Sequence, residues 1–287
     1  MRVRTTKLES IRSGASGFGL LLVLTVIDPA LAAESIRSVQ RLVPEPIYRL
    51  ISTDGAERFA TRGQVAANKA RTGLEKPAFL AVRTNEWPAA LVPIFAVETE
   101  NHFELRRLPT RGLENSSEPL FFALPAEDEP EAVKLAGHWD FLAIRGDGSK
   151  ASPALEMTTE AGLVAAWFSQ FTDYRFAHVT EGSFQSDQLN LRIEYIADSY
   201  LLKGTWREGV FKGEWRHVDN SERGKWEASR EPPQIPASTN VAALYEWRQR
   251  DKEVRRYLLE GERIDGNWER APRPLCRVWR SETSALH

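Results

Sequence analysis

The sequence predicts a mainly β protein: an antiparallel barrel inserted into a pseudo-threefold, trefoil-like β-repeat domain. Three observations predict it. Thirteen Phe, nine Trp and six Tyr against two Met favour strands. Three similar segments recur along the chain, each with two apolar runs joined by a polar turn and a third run led by proline. Between the second and third segments the pattern changes to short runs of alternating polarity. With 287 residues, 42% hydrophobic and 27% charged, the chain has ample material for a core, which excludes wholesale disorder. Charge is balanced, 38 Lys+Arg against 40 Asp+Glu, so nothing points to nucleic acid as a main partner. One cysteine, Cys276, excludes an intramolecular disulfide, a Cys-x-x-Cys redox centre and a zinc site of several thiolates.

The first element is an export signal over residues 1–32. Arg2, Arg4, Lys7 and Arg12 form a basic start, and Gly17 to Ile27 (GFGLLLVLTVI) is an apolar core too short to span a bilayer comfortably. Ala30-Leu31-Ala32 supplies small residues at both positions that a signal peptidase reads, so cleavage is expected after Ala32. A retained membrane anchor is the alternative, and Asp28 and Pro29 argue against it by closing the segment early. Cleavage removes four basic and two acidic side chains and moves the formal charge from -2 to -4. The mature protein is expected to be periplasmic or secreted, with no membrane span after signal cleavage.

Two repeat units follow within residues 40–128. The first opens at Pro46 (PIYRLISTDGAERFATR) and closes at Arg83 (EKPAFLAVR); the second opens at Pro93 (PIFAVETENHFELRR) and closes at Pro125 (SEPLFFALP). The third lies within 241–282, from ALYEWRQRDKEVRRYLLE to PRPLCRVWR. Each begins with an aliphatic-aromatic pair (Ile47-Tyr48, Ile94-Phe95, Leu244-Tyr245) and resumes after its turn at a basic-aromatic pair (Arg58-Phe59, His102-Phe103, Arg256-Tyr257). The closing strands align Phe79, Phe121 and Cys276. Two strands and a turn, a variable linker, then a proline-led strand is the expected unit. The linker GQVAANKARTGLE of the first unit has the composition of a short helix closed by Gly73. No unit can bury a core alone, so the three are expected to pack around a common axis and to fold without the segment between them. The first unit resembles a short repeat of unknown function found in exported bacterial proteins, in which a Tyr-Arg strand and a Phe-containing strand precede a helix.

From 134 to 230 the alternation takes over. Leu189, Leu191, Ile193 and Tyr195 share one strand face and Asn190, Arg192 and Glu194 the other; Tyr174, Phe176 and His178 repeat the period. Gly-x-Trp occurs at Gly137, Gly204, Gly213 and Gly224, a pairing suited to the corners of a closed sheet, where glycine admits a close backbone and Trp covers the gap. About eight such strands fit an up-and-down barrel. The run TDYRFAHVTEGSFQSDQLNLRIEYIADSYLLKGTWREGVFKGEW, closed by Trp226-Glu227-Ala228-Ser229-Arg230, resembles the lipocalin-like β-barrel domain that precedes thioredoxin-like domains in exported bacterial proteins. The catalytic thiols of those proteins belong to the neighbouring domain, and none is expected in this sequence with its single cysteine, so the resemblance implies a barrel and no redox chemistry.

No Gly-x-Ser-x-Gly elbow, phosphate-binding glycine loop or His-Glu-x-x-His helix occurs, and no catalytic residue, metal ligand or cofactor is expected. His138 and Asp140 share a strand face, readable as two metal ligands or as a solvent-facing polar pair. Cys276 is read as a substitute for a core aromatic. The leading expectation is non-enzymatic binding, of a small apolar or amphipathic ligand in the barrel or of an envelope component on the repeat domain. Trp139, Tyr174, Phe176, His178, Tyr195 and Trp206 are the candidate barrel residues. Trp87 and Trp268, in polar connections, are surface aromatic candidates for stacking on sugars. Two rival readings are an enzyme with a barrel site around His178, and a structural barrel filled by its own side chains.

Overall fold

A computed structural model describes residues 42–51, 57–67, 77–85, 87–98, 103–108, 118–169, 177–250, 252 and 254–281. The expected leader at 1–32, most of the linker after Ala67, and the candidates Tyr174 and Phe176 lie outside them. Among the described residues no helix is long and apolar enough to cross a membrane.

The first segment forms β1 (Pro44–Ile51), β2 (Glu57–Thr61), the helix α1 (Arg62–Ala67) and β3 (Pro77–Val82). The second forms β4 (Val92–Glu98), β5 (Phe103–Arg106) and β6 (Phe121–Ala123). In each, the first strand carries the second on one edge and the third on the other, all antiparallel. Ile47 stands opposite Phe79, and Ile94 opposite Phe121. Alternation puts these residues in one buried core with Phe59, Ala81, Phe103 and Leu105.

After α2 (Pro130–Leu135) the chain runs through β7 (Gly137–Arg145), the short β8 (Lys150–Ala151), β9 (Ala154–Glu160), β10 (Leu163–Phe168), β11 (Ala177–Gln185), β12 (Gln188–Tyr195), β13 (Asp198–Arg207), β14 (Val210–His217) and β15 (Arg223–Ser229). Leaving β8 aside as a flap on β7, eight antiparallel strands follow one another, and β15 pairs with β7 from Ser229↔Asp140 to Gly224↔Arg145. The sheet is a closed barrel. Three of its connections are two-residue turns with both residues at positive φ: Ala161-Gly162, Ser186-Asp187 and Glu208-Gly209. This geometry matches the twist of the flanking strands and fixes their register. The Gly-x-Trp segments work between strands: Trp226 stands opposite Gly213 and Trp215 opposite Gly224. A Cβ at Gly213 would fall within the van der Waals sphere of the Lys203 carbonyl, and one at Gly224 within that of Ile144.

The chain then returns to the first sheet with β16 (Val241–Gln249), β17 (Arg255–Leu259), β18 (Trp268–Arg270) and β19 (Cys276–Trp279). The first of these pairs with β17 and β19 as β1 and β4 do with their neighbours, and Leu244 stands opposite Cys276. The three closing strands meet through Leu80↔Trp279, Val82↔Phe122 and the bridge Leu124↔Arg277, leaving this second sheet nearly closed. One alignment read from the sequence shifts. Phe59 stands opposite Arg49 and Tyr257 opposite Glu246, but the residue in that register in the second unit is Leu105, opposite Ala96. Phe103 is two residues away on the same face, so it still reaches the core.

Barrel and second sheet share a packed junction. Ala90 donates to the Ala136 carbonyl at 2.8 Å, and His138 donates its backbone N–H to Trp87 at 3.2 Å. Between them Gly137 adopts φ +133°, and a Cβ there would lie 2.8 Å from the Cα of Ala89. The ring of Trp167, on the outside of the barrel, packs 5.1 Å from Trp87 and 5.8 Å from Phe95. Arg107, 2% exposed, crosses the junction to donate to the Thr159 carbonyl at 2.6 Å and to pair with Glu129.

Candidate functional site

The barrel's inward residues fill it. Leu155, Met157, Phe184, Leu189 and Phe211 are fully buried, with Phe141, Leu191, Trp226 and Ala228 close to it. At one end α2 inserts Leu135, whose carbonyl accepts the Trp139 indole N–H at 2.7 Å. Two sequence candidates meet here: Trp139, fully buried, and Trp206, half-buried, with ring centroids 5.7 Å apart and Phe211 about equally near both. Arg230 closes the group, its guanidinium 5.0 Å from the Trp139 ring and 5.8 Å from Trp206, while donating to the Ala136 and Val133 carbonyls of the helix end. Burial pulls its pKa down to about 10. This is a plugged floor rather than an open pocket wall. Among the described residues, two surface depressions lie around exposed groups such as Lys212, Glu208 and Glu227, on the barrel's outside.

Tyr195 is half-buried against the same core. His178 is exposed, which corrects the expectation that it points inward: the buried parity of β11 belongs to its neighbour Ala177. The histidine that the barrel buries is His217. It continues the inward series Phe211, Gly213, Trp215, so the two-residue period could have found it. Its Nδ1 accepts the backbone N–H of Asp219 at 3.0 Å, so Nε2 carries the proton and donates to Asp198 at 3.1 Å. With both ring nitrogens engaged, it has no free lone pair to act as a base.

His138 lies 3.6 Å from Asp140 and 4.0 Å from Glu156, and among the described residues no group of three or more His, Cys, Asp or Glu side chains is placed to hold a metal. Burial alone raises the Glu156 carboxyl to about 7.

In the second sheet all three units converge on Tyr257. Its hydroxyl accepts the Leu105 N–H at 2.8 Å and lies 3.4 Å from Glu246, while Arg255 links Glu246 to Glu104. Arg49 donates to the Tyr257 carbonyl at 2.8 Å, and Glu57 receives its N–H at 3.4 Å. Burial outweighs Arg49 and pushes Glu57 up to about 7. These groups close the seams between units where no strand ladder does. Their signal in the sequence is parity alone: Glu57 shares the core parity of Phe59, and Glu246 that of Leu244.

Trp87, expected at the surface, is 9% exposed, because its connection runs into the junction and its ring packs on Phe122 and Trp167. Trp268 is half-buried, with the Arg256 guanidinium 5.3 Å from its ring centroid. Cys276 is fully buried in the common core, which raises its thiol to about 12 and leaves it inert as a nucleophile. Comparison with family models, with curated proteins and with solved structures finds no match to this chain.

Proposed function

We propose that this is an exported, non-enzymatic binding protein of the periplasm or exterior, in which the lipocalin-like barrel is a filled structural module and the repeat domain meets an envelope component. The observation that carries the reading is the barrel interior, occupied from the Trp139 floor through Phe184 and Phe211 by the chain's own side chains. A container for an apolar ligand needs a concave space with a few convergent polar groups. The polar groups here are already spent on one another, as in the His217 and Asp198 pair. A pseudo-threefold, trefoil-like description of the second sheet is supported by the like pairing of its three units and by the contacts among their closing strands.

Native mass spectrometry of the purified protein, with displacement of a fluorescent fatty acid, tests the filled barrel. No co-purified apolar molecule and no displacement are expected. Phe184→Ala is expected to lower stability by about 3–5 kcal/mol, the cost of emptying a packed aromatic site. A bound lipid, or saturable displacement that Phe184→Ala alters, would return the function to the barrel.

A further inference from the structure

In β16 the residues Ala242, Leu244 and Glu246 point into the core, which leaves Tyr245 and Trp247 half-exposed on the opposite face. Trp247 stands opposite Arg256 of β17 on one side and opposite Arg270 of β18 on the other. Residues directly opposite in antiparallel strands share a face, so the three side chains form one row, with Trp268 beside it opposite Gln249. The arginines lie over rings of this face: Arg270 is 4.5 Å from the Tyr245 centroid and Arg256 is 5.3 Å from that of Trp268. Among the described residues Arg270 and Arg256 make no ion pair within 4 Å, although the charge of Arg256 is felt by the buried Glu57 carboxylate, and the Nε of Arg256 is buried without a hydrogen-bond acceptor. By contrast Arg248, of the opposite parity, is paired with Glu246.

We infer that this strip on the third unit, centred on Trp247 between Arg256 and Arg270, binds a carbohydrate chain bearing anionic substituents. The inference rests on the proposal that the repeat domain meets an envelope component, and it names the chemistry of that component. Indole and phenol faces stack on the apolar faces of pyranose rings, since a large flat aromatic surface loses little conformational freedom on contact. A guanidinium over a ring still has N–H donors to offer a carboxylate or phosphate on a sugar stacked beside it. Three strands at about 4.8 Å spacing give a platform roughly 10 Å wide. Single-stranded nucleic acid uses the same two contacts, but its affinity scales with the number of phosphates neutralised, and two arginines neutralise few.

The test is isothermal titration calorimetry of the full mature chain with oligogalacturonate, a phosphomannan, neutral dextran and a twenty-residue oligo-dT, followed by indole N–H chemical shifts. Binding of at least one of the two anionic glycans and none of dextran is expected. Trp247→Ala and the pair Arg256→Gln with Arg270→Gln should each weaken it at least tenfold. The Gln pair removes charge without emptying a core position, so it decides the outcome if Trp247→Ala unfolds. The uronate and phosphate arms tell which anion is preferred. Equal binding of dextran, tighter binding of oligo-dT, or binding that the Gln pair leaves unchanged would overturn the inference while leaving a binding protein. No glycan binding together with a lipid in the barrel would overturn both proposals.

Discussion

Glu156 of β9 stands opposite His138 of β7 on one side and Trp167 of β10 on the other, on the barrel face that meets the second sheet. Its side chain is 22% exposed, and burial without a compensating cation raises its carboxyl from 4.5 to about 7. The folded state therefore holds a proton that the unfolded chain releases. Stability from this group is complete below pH 4.5 and is lost as pH climbs to about 7. Glu156→Gln should match the wild type in urea unfolding at pH 4.5 and exceed it by about 1–3 kcal/mol at pH 8. Equal stability at pH 8 would show that the carboxylate finds solvent. This residue also marks what sequence could not yield. Alternation predicts β12 and its inward Leu189, Leu191 and Ile193; continued through Tyr174, Phe176 and His178 it predicts the wrong phase for β11, because His178 lies on the outer face. Period alone does not choose the face; the register with neighbours does, and a register shift between Val179 and Glu181 changes it mid-strand.

Among the elements, β14 approaches β13 at Gly213, and β15 approaches β7 at Gly224, too closely for any side chain at those two positions. The repeated Gly-x-Trp made this legible in sequence, because only glycine leaves room for a backbone and only a large ring then covers it. The partners of the rings were not legible: Trp215 and Trp226 stand opposite each other's triplet glycines, Gly224 and Gly213, across the β14–β15 ladder, whereas Trp206 faces Phe211 and Trp139 faces Leu155. Gly213→Ala and Gly224→Ala would each drive a methyl into a carbonyl of the adjoining strand, and since the ladder must part to admit it, a loss of about 3 kcal/mol or failure to fold is expected. Gly148, at φ +84° with open space around it, is the control: Gly148→Ala should cost about 1 kcal/mol through backbone strain alone. Similar melting temperatures for all three variants would mean that the barrel wall yields.

For the molecule as a whole, composition and repeats indicated two β bodies but not how they depend on each other. The separate apolar patterns of the inserted and flanking segments invite the expectation of separable folding. The junction argues otherwise. Arg107 leaves the end of β5 to neutralise Glu129 and cap Thr159, and Trp167 of the barrel lies against Trp87 and Phe95 of the sheet. Breaking a buried pair from one side leaves a charge unpaired, so Arg107→Met should lower stability by about 3–5 kcal/mol. It should do so in one transition, because the lost contacts belong to both bodies. Hydrogen exchange under native conditions separates the cases: if the junction couples them, central amides of β9 and of β4 open with one common free energy, and Arg107→Met lowers both alike. Replacing 137–229 by a short linker would then leave Trp87, Phe95 and Arg107 uncovered and give no cooperative melt. Independent opening free energies for β9 and β4, with only one moved by Arg107→Met, would show that the barrel is a passenger on a self-sufficient sheet.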